Sequence, residues 1–553
     1  MSKRFFGWEE FGLTLKLSIE SLKEREPWTK AEIELPKFDY EKMVVETMEN
    51  PKWVHFGAGN IFRGFIAMLQ QKVLNMGMDN TGIIAVEAYD YEIIDKIYKP
   101  HDNLGLLVIM NGNGILEKTV VGSIADTLAA DVNRKSDWPK LKEIFKKPSL
   151  QVVSLTITEK GYSLKDASDE FFEDVQRDIV NGPENPTHIM SKIVSLAYIR
   201  YKNGELPIAF VSMDNCSHNG DILHKSLKTI ADEWVKNGLI ERGFLAYIDD
   251  PSKVAFPWSM IDKITPRPSE SVKAYLDSIG FTDTEIVCTD KNTFIAPFVN
   301  AEGPEYLVIE DNFPNGRMPL ELVGVFFTDR ETVDKVEKMK VCTCLNPLHT
   351  ALAVFGCLLG YKLIADEMKD SCLKRLVEGV GYDEGLPVVI DPGIFSPREF
   401  IKEVIEERFP NPYIPDTPQR IITDTSQKMA IRFGETIKAY RDRDDLEPAE
   451  LKYIPLVIAG WCRYLLGLDD EGKEMELSPD PMAEELRADI AEIKLGHVET
   501  VGEKLRPVLS NEALFGLNLY EVGLGEKIEE YFKEMIAGKN SVRETLQKHL
   551  DKC

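Results

Sequence analysis

From Trp53 onward, short β-rich runs alternate with helical stretches, and the first run breaks into a glycine turn. WVHFG (53–57), GIIAVEA (82–88), LGLLVIM (104–110), LQVVSLTI (150–157) and LPIAFVSM (206–213) are all short and apolar. Helical stretches lie between several of them, notably 60–76 and 188–202. Strands separated by helices pair in parallel through right-handed crossovers, so this order predicts a mainly parallel sheet. The texture changes after Pro314-Asn315-Gly316. Beyond about residue 330 helical periodicity takes over, at 332–342, 350–370, 397–408, 426–440, 451–466, 481–495 and 524–550. Residues 1–50 read as a lead-in. The predicted architecture is α/β: a nucleotide-binding type of domain over 1–325 with its lead-in, then a mostly α-helical domain over 326–553. No internal repeat or low-complexity tract interrupts it.

Composition narrows the function. A chain of 553 residues exceeds what one core supports, so two or more domains are expected. With 43% hydrophobic and 29% charged residues it has the mix of a folded, soluble protein. Basic residues number 66 against 92 acidic, a net charge of −26, which disfavours a nucleic-acid partner. No window of about 18 apolar residues is expected to exist, and hence no membrane span. The N-terminal MSKRFFGWEEFGLTLKL is charged where a signal peptide needs an apolar core. Eight cysteines without a CxxC suggest reduced thiols and a cytoplasmic protein. Cys342 and Cys344 lack a second pair of ligands, so no metal is expected.

Four segments carry candidate chemistry. In VHFGAGNIFRG (54–64), Gly57 permits a tight turn and Gly59 lets the backbone approach a pyrophosphate at a helix N-terminus. Phe62 stands where a third glycine is usual. Gly57, Gly59, Asn60 and Arg63 are the cofactor candidates of this turn. The next run ends in VEAYD (86–90), where Glu87 or Asp90 is placed to bind a ribose hydroxyl and to repel a 2′-phosphate, which favours NAD over NADP. SMDNCSHNGD (212–221) follows a strand, and FPWSMIDKITP (256–266) is an ordered loop rich in rigid and polar residues. In KVCTCLNPLH (340–349), Asn346 and His349 are three apart, hence on one helical face, and Lys340 precedes them by less than two turns. A buried lysine can serve as a general base and an amide can stabilise an oxyanion. Taken singly, each also suits a plainer part: Lys340 a solvated helix lysine, His349 a core histidine, Asn346 a cap before Pro347. No HxxxH or HExxH pattern occurs.

GAGNIFRG, TEKGY (158–162), SMDNCSHNG, FPWSMIDKITP, VIEDNF (308–313), VEKMK followed by LNPLH, and RIITDTSQKMAIRF (420–433) stand in one order. With them the chain, over roughly 45–520, resembles the mannitol dehydrogenase family of long-chain polyol dehydrogenases. That family includes mannitol 2-dehydrogenases, fructuronate reductases, tagaturonate reductases and arabinitol dehydrogenases. The resemblance implies a Rossmann-type N-terminal domain that binds NAD, a helical C-terminal domain, and catalysis without a metal. It implies Lys340 as the general base, Asn215 and Asn346 as holders of the developing alkoxide, and His349 as the orienter of the substrate oxygen. Glu337 would exchange the proton with solvent. Asp262, Arg420 and Lys428 would contact substrate.

Three departures bear on the substrate. Five residues separate Lys340 from Asn346 where the family usually has four, so either a one-residue bulge absorbs the insertion or another residue is the base. Pro347 and Leu348 replace smaller residues, and Trp258 replaces a common asparagine. The stretch GNIFRGF resembles the hexuronate reductases more than the mannitol enzymes, which implies a small sugar acid, fructuronate–mannonate or tagaturonate–altronate, whose carboxylate Arg420 and Lys428 could pair. Fructose–mannitol is the close alternative, followed by a non-catalytic sugar or nucleotide binder. A metal-dependent alcohol dehydrogenase would need Cys342, Cys344 and His349 as ligands.

Overall fold

Six short strands form one fully parallel sheet in the computed structural model of the protein, which describes residues 14–550. Numbered in chain order they are β1 (Trp53–Phe56), β2 (Ile83–Glu87), β3 (Ile124–Ala129), β4 (Val152–Leu155), β5 (Ile208–Ser212) and β6 (Val254–Ala255). Their order across the sheet is β3-β2-β1-β4-β5-β6. It reverses between β1 and β4, the point beyond whose strand ends open α/β sheets bind ligands. Alternate residues feed two cores. Val54, Ile84, Val153 and Phe210 join one cluster with Trp138, Leu223 and Trp234, while Trp53, Ile83, Val152 and Ala209 join another with Phe62, Phe65 and Leu69. That period of two, with both faces covered, is why these strands read as unbroken apolar runs.

One expectation is corrected in this region. The run 104–110 is not part of the parallel sheet: Gly105–Met110 pairs antiparallel with Leu116–Val121 in a separate four-stranded sheet. The cause is local, an Asn-Gly-rich turn in which Gly114 has φ +84° and Asn111 N–H donates to the Ile115 carbonyl. The lead-in is woven into the same unit, since Ile33–Glu34 forms the edge of that sheet and Leu15 bridges to Phe281. The charged segment 1–13 and Cys553 lie outside the described residues.

The chain divides into two units, Met1–Val333 and Asp334–Cys553, with the division inside the helix Arg330–Lys338. The second unit is helical. Its most buried elements are Asn346–Leu359 and Tyr453–Tyr464, which approach so closely at Gly460 that a Cβ there would stand 2.7 Å from Phe355. The helix predicted at 350–370 ends at Gly360, whose φ of +79° supplies a left-handed cap, and 524–550 splits before Asn540.

Two further corrections arise here. The helical stretch Arg330–Leu359 is long and apolar enough to cross a membrane by length and composition, contrary to the expectation that no such window exists. Its apolar window is 78% buried within the protein, as befits a core helix. Cys372 is disulfide-bonded, so the thiols are not all reduced. Cys216, Cys288, Cys342, Cys344, Cys357 and Cys462 are free.

Candidate active site

In the first unit, the chain leaves β1 through Gly57, whose φ is +104°. A Cβ at Gly57 would lie 2.0 Å from the Thr156 carbonyl oxygen at the end of β4, so only glycine fits. Gly59 is the opposite case, with no atom within 4 Å of where its Cβ would stand. The helix that follows starts at Asn60, whose Oδ1 is a buried acceptor without a partner among the described residues. A strained glycine and an open glycine before a helix start, both at the switch point, fit a dinucleotide's pyrophosphate. The close packing that a third glycine would provide is met at Gly64, where a Cβ would stand 3.0 Å from Val299. Phe62 instead stacks on His55 at 4.3 Å.

The acids after β2 are turned inward. Glu87 accepts from the backbone N–H groups of Ala58, Ala88, Tyr89 and Asp90, at 3.0, 3.0, 2.9 and 3.2 Å. Burial raises its carboxyl, with the four donors pulling the other way. It thus clamps the glycine turn to the end of β2. Asp90 is 3% exposed and accepts from Thr289 Oγ1 at 2.6 Å. Arg63 is also buried, with its guanidinium over the Tyr98 ring, while the Tyr98 hydroxyl donates to the Ala58 carbonyl. Arg63 therefore supports the turn from behind.

Beyond β4 and β5, Asp214 binds two loops together. It accepts from the N–H groups of Ile157 and Thr158 and from the Tyr162 hydroxyl, at 2.8, 3.0 and 2.6 Å. Thr158 is held at φ +65°, a left-handed conformation costly for a β-branched residue. Asn215, next in the chain, is exposed. Asn219 is fully buried; its amide donates to the carbonyls of Ser212, Asp214 and Ser259 and accepts from Ser259 N–H. It joins the end of β5 to the strand Ser259–Asp262, where Asp262 is buried. Asp214 and Asn219 were not singled out from sequence, although both lie in the SMDNCSHNG segment. Trp258 lies between the His218 ring, at 4.1 Å, and the Arg330 guanidinium, so the family's asparagine is replaced by an aromatic sandwich.

In the second unit the insertion after Lys340 is absorbed by a π-helical turn, Met339–Cys344. Leu345 N–H donates to the Lys340 carbonyl, five residues back, at 3.1 Å. One extra residue in a turn leaves the helical phase between Lys340 and Asn346 as a step of about five residues on a plain helix would set it. Lys340 is buried and Glu337, a turn earlier, is half-buried. Pro347 occupies the first turn of Asn346–Leu359, where no N–H is needed, and Leu348 packs against Gly381.

His349 Nε2 lies 3.6 Å from Asp416, without a hydrogen-bond partner among the described residues. Burial pushes the imidazole down to about 4, which Asp416 opposes and Arg420, Arg432 and Arg408 reinforce. It is therefore neutral at pH 7. Arg420 is ion-paired with Asp416, and Lys428 Nζ donates to the Thr423 carbonyl. Asp416, Arg408 and Arg432 were missed from sequence. Burial pushes the Cys342 thiol up to about 12 and raises Cys344 as well. Among the described residues no three His, Cys, Asp or Glu side chains are grouped to hold a metal.

Comparison with known proteins agrees along the chain. The profile of the mannitol dehydrogenase Rossmann domain matches residues 51–322, and that of the mannitol dehydrogenase C-terminal domain matches 332–536. A D-mannonate oxidoreductase of Thermotoga maritima is 58% identical over 96% of this chain and 98% of its own length. A mannitol dehydrogenase of Saccharomyces cerevisiae is 31% identical over 79% of this chain and 81% of its own. Among solved structures, a mannitol 2-dehydrogenase of Pseudomonas fluorescens in ternary complex with NAD and D-mannitol is 26% identical. It covers 97% of this chain and 100% of its own, with a TM-score of 0.68.

Proposed function

The chain belongs to the mannitol dehydrogenase family, and from that premise we propose that it is a cytoplasmic, NAD-dependent oxidoreductase of a small sugar acid, interconverting mannonate and fructuronate. The observation that carries the substrate is the likeness to the Thermotoga D-mannonate oxidoreductase, nearly twice as identical as the yeast mannitol dehydrogenase. Six free cysteines among the described residues support the cytoplasmic setting.

Gly57, Gly59 and Asn60 would hold the cofactor's pyrophosphate, with Glu87 keeping the turn in shape. When bound, NAD supplies the hydride acceptor. Lys340 takes the proton from the substrate hydroxyl as the carbonyl forms, and returns it in the reverse direction. Asn215 and Asn346 donate to that oxygen, so their dipoles stabilise charge that grows in the transition state. His349, neutral at pH 7, orients the oxygen rather than donating charge. Glu337 passes the proton between Lys340 and solvent. Asp262, Arg420 and Lys428 engage the remaining substrate groups.

The test follows NADH absorbance with EDTA-treated protein against D-fructuronate, D-tagaturonate and D-fructose. Oxidation of NADH with fructuronate, and only slow oxidation with fructose, is expected. Turnover of fructose alone would move the protein to the mannitol branch, and tagaturonate alone to the altronate one.

A further inference from the structure

Arg432 differs from three of the buried arginines, Arg63, Arg200 and Arg463. Arg200 donates to the carbonyls of Phe145, Lys147, Leu150, Leu206 and Pro207, and Arg463 to those of Leu468, Asp469 and Met535. Such arginines are structural, their donors used up on backbone. Among the described residues Arg63 has no hydrogen-bond partner at its terminal nitrogens, but it is 3% exposed. Arg432 is half-buried, hence reachable, and among the described residues it makes one hydrogen bond, from Nη1 to Thr350 Oγ1 at 2.5 Å.

Thr350 follows His349, and its hydroxyl donates to the Asn346 carbonyl at 2.8 Å. The guanidinium is thus tied to the helix turn that carries Asn346 and His349. Arg420, the cation expected from sequence to meet a carboxylate, already has a counter-ion in Asp416. Arg432 has no acidic partner among the described residues, and burial lowers its proton affinity. A planar guanidinium with most of its five donors uncommitted suits two carboxylate oxygens. A neutral sugar alcohol has no charge to offer it.

We infer that Arg432, braced by Thr350, is the carboxylate subsite of this enzyme and reads the acid end of its substrate. The inference rests on the sugar-acid reading above and names the residue that would enforce it.

The experiment compares wild type, Arg432→Met and Arg432→Lys on D-fructuronate and on D-fructose, with NADH binding and thermal midpoint as controls for folding. Arg432→Met is expected to lose about 100-fold in kcat/KM on fructuronate, mainly through KM, the worth of one charge-assisted pair. Its activity on fructose should stay at the wild-type level, and Arg432→Lys should recover part of the loss. Equal losses on both substrates, or no loss on fructuronate, would overturn the inference while leaving the proposed function intact. If wild type fails to turn over fructuronate, the proposed function falls first. Calorimetric binding of D-mannonate and D-mannitol then decides: mannonate affinity lost in Arg432→Met with mannitol affinity unchanged keeps the subsite, and equal changes remove it.

Discussion

The turn after β1 and the segment around the π-helical turn at 339–344 treat polar side chains in opposite ways. At the first, and at the neighbouring ends of β4 and β5, side chains are used up on the protein itself: Glu87 on four backbone N–H groups, Asp214 on two and a tyrosine, Asn219 on three carbonyls and an N–H. The functional surface left over is backbone, with its shape imposed by Gly57. At the second, His349 Nε2 has no hydrogen-bond partner among the described residues and Arg432 has no acid. Under the proposed function the first region would recognise by shape and the second by side-chain chemistry, so changes at the two should fail in different ways.

The largest effect is expected at Gly57→Ala, where the new methyl meets a carbonyl at 2.0 Å under a positive φ. A loss of about 3 kcal/mol or more in urea unfolding, together with NADH binding, is expected. Gly59→Ala should fold normally and weaken NADH binding alone, since nothing in the protein meets its Cβ. Equal unfolding of both variants would erase the distinction between a structural and a ligand-facing glycine.

Asn219→Ala should cost about 2 kcal/mol, because it strands buried groups on two strand ends at once. Stability equal to wild type would show that the two loops do not depend on it.

His349 gives a comparable effect that appears only in acid. Its folded value near 4 lies below the unfolded 6.5, so the unfolded chain binds the extra proton and stability falls as pH drops from about 6.5 to 4. His349→Gln should therefore lose about 2 kcal/mol less than wild type between pH 7 and 4.5, read from urea midpoints. Identical acid profiles would mean the imidazole is not held neutral.

The smallest effect is expected from deleting Val341. If the π-helical turn absorbs the extra residue, removing one leaves a plain helix with Lys340 and Asn346 in the same phase, and turnover survives. Loss of turnover with a normal thermal midpoint would show that the bulge itself matters.

Much of this was legible in the sequence. Strands buried on both faces announce themselves as apolar runs, and β1, β2, β4 and β5 fall on the runs at 53–57, 82–88, 150–157 and 206–213. An apolar run does not name its partner, so 104–110 was placed in the wrong sheet; the NGNG turn after it was the signal for a hairpin. The glycine turn was legible because backbone strain demands a particular residue. The inward turn of Glu87 was not, since an acid after a strand looks the same whether it meets a ribose or four N–H groups. Lys340, Asn346 and His349 share one stretch of chain and could be read together. Asp416 and Arg432 reach that stretch only through tertiary packing, from positions about 70 to 80 residues later, and nothing local marks them.

The most direct test of the lysine-base, metal-independent account is Lys340→Ala in EDTA-treated protein, with NADH binding measured by fluorescence beside turnover of D-fructuronate. The account predicts a fall in kcat of about 100- to 10,000-fold, the range of general acid–base catalysis, with NADH affinity unchanged and no recovery on adding zinc. Wild-type turnover in the variant, or activity of the native protein that vanishes on chelation and returns with zinc, would contradict it.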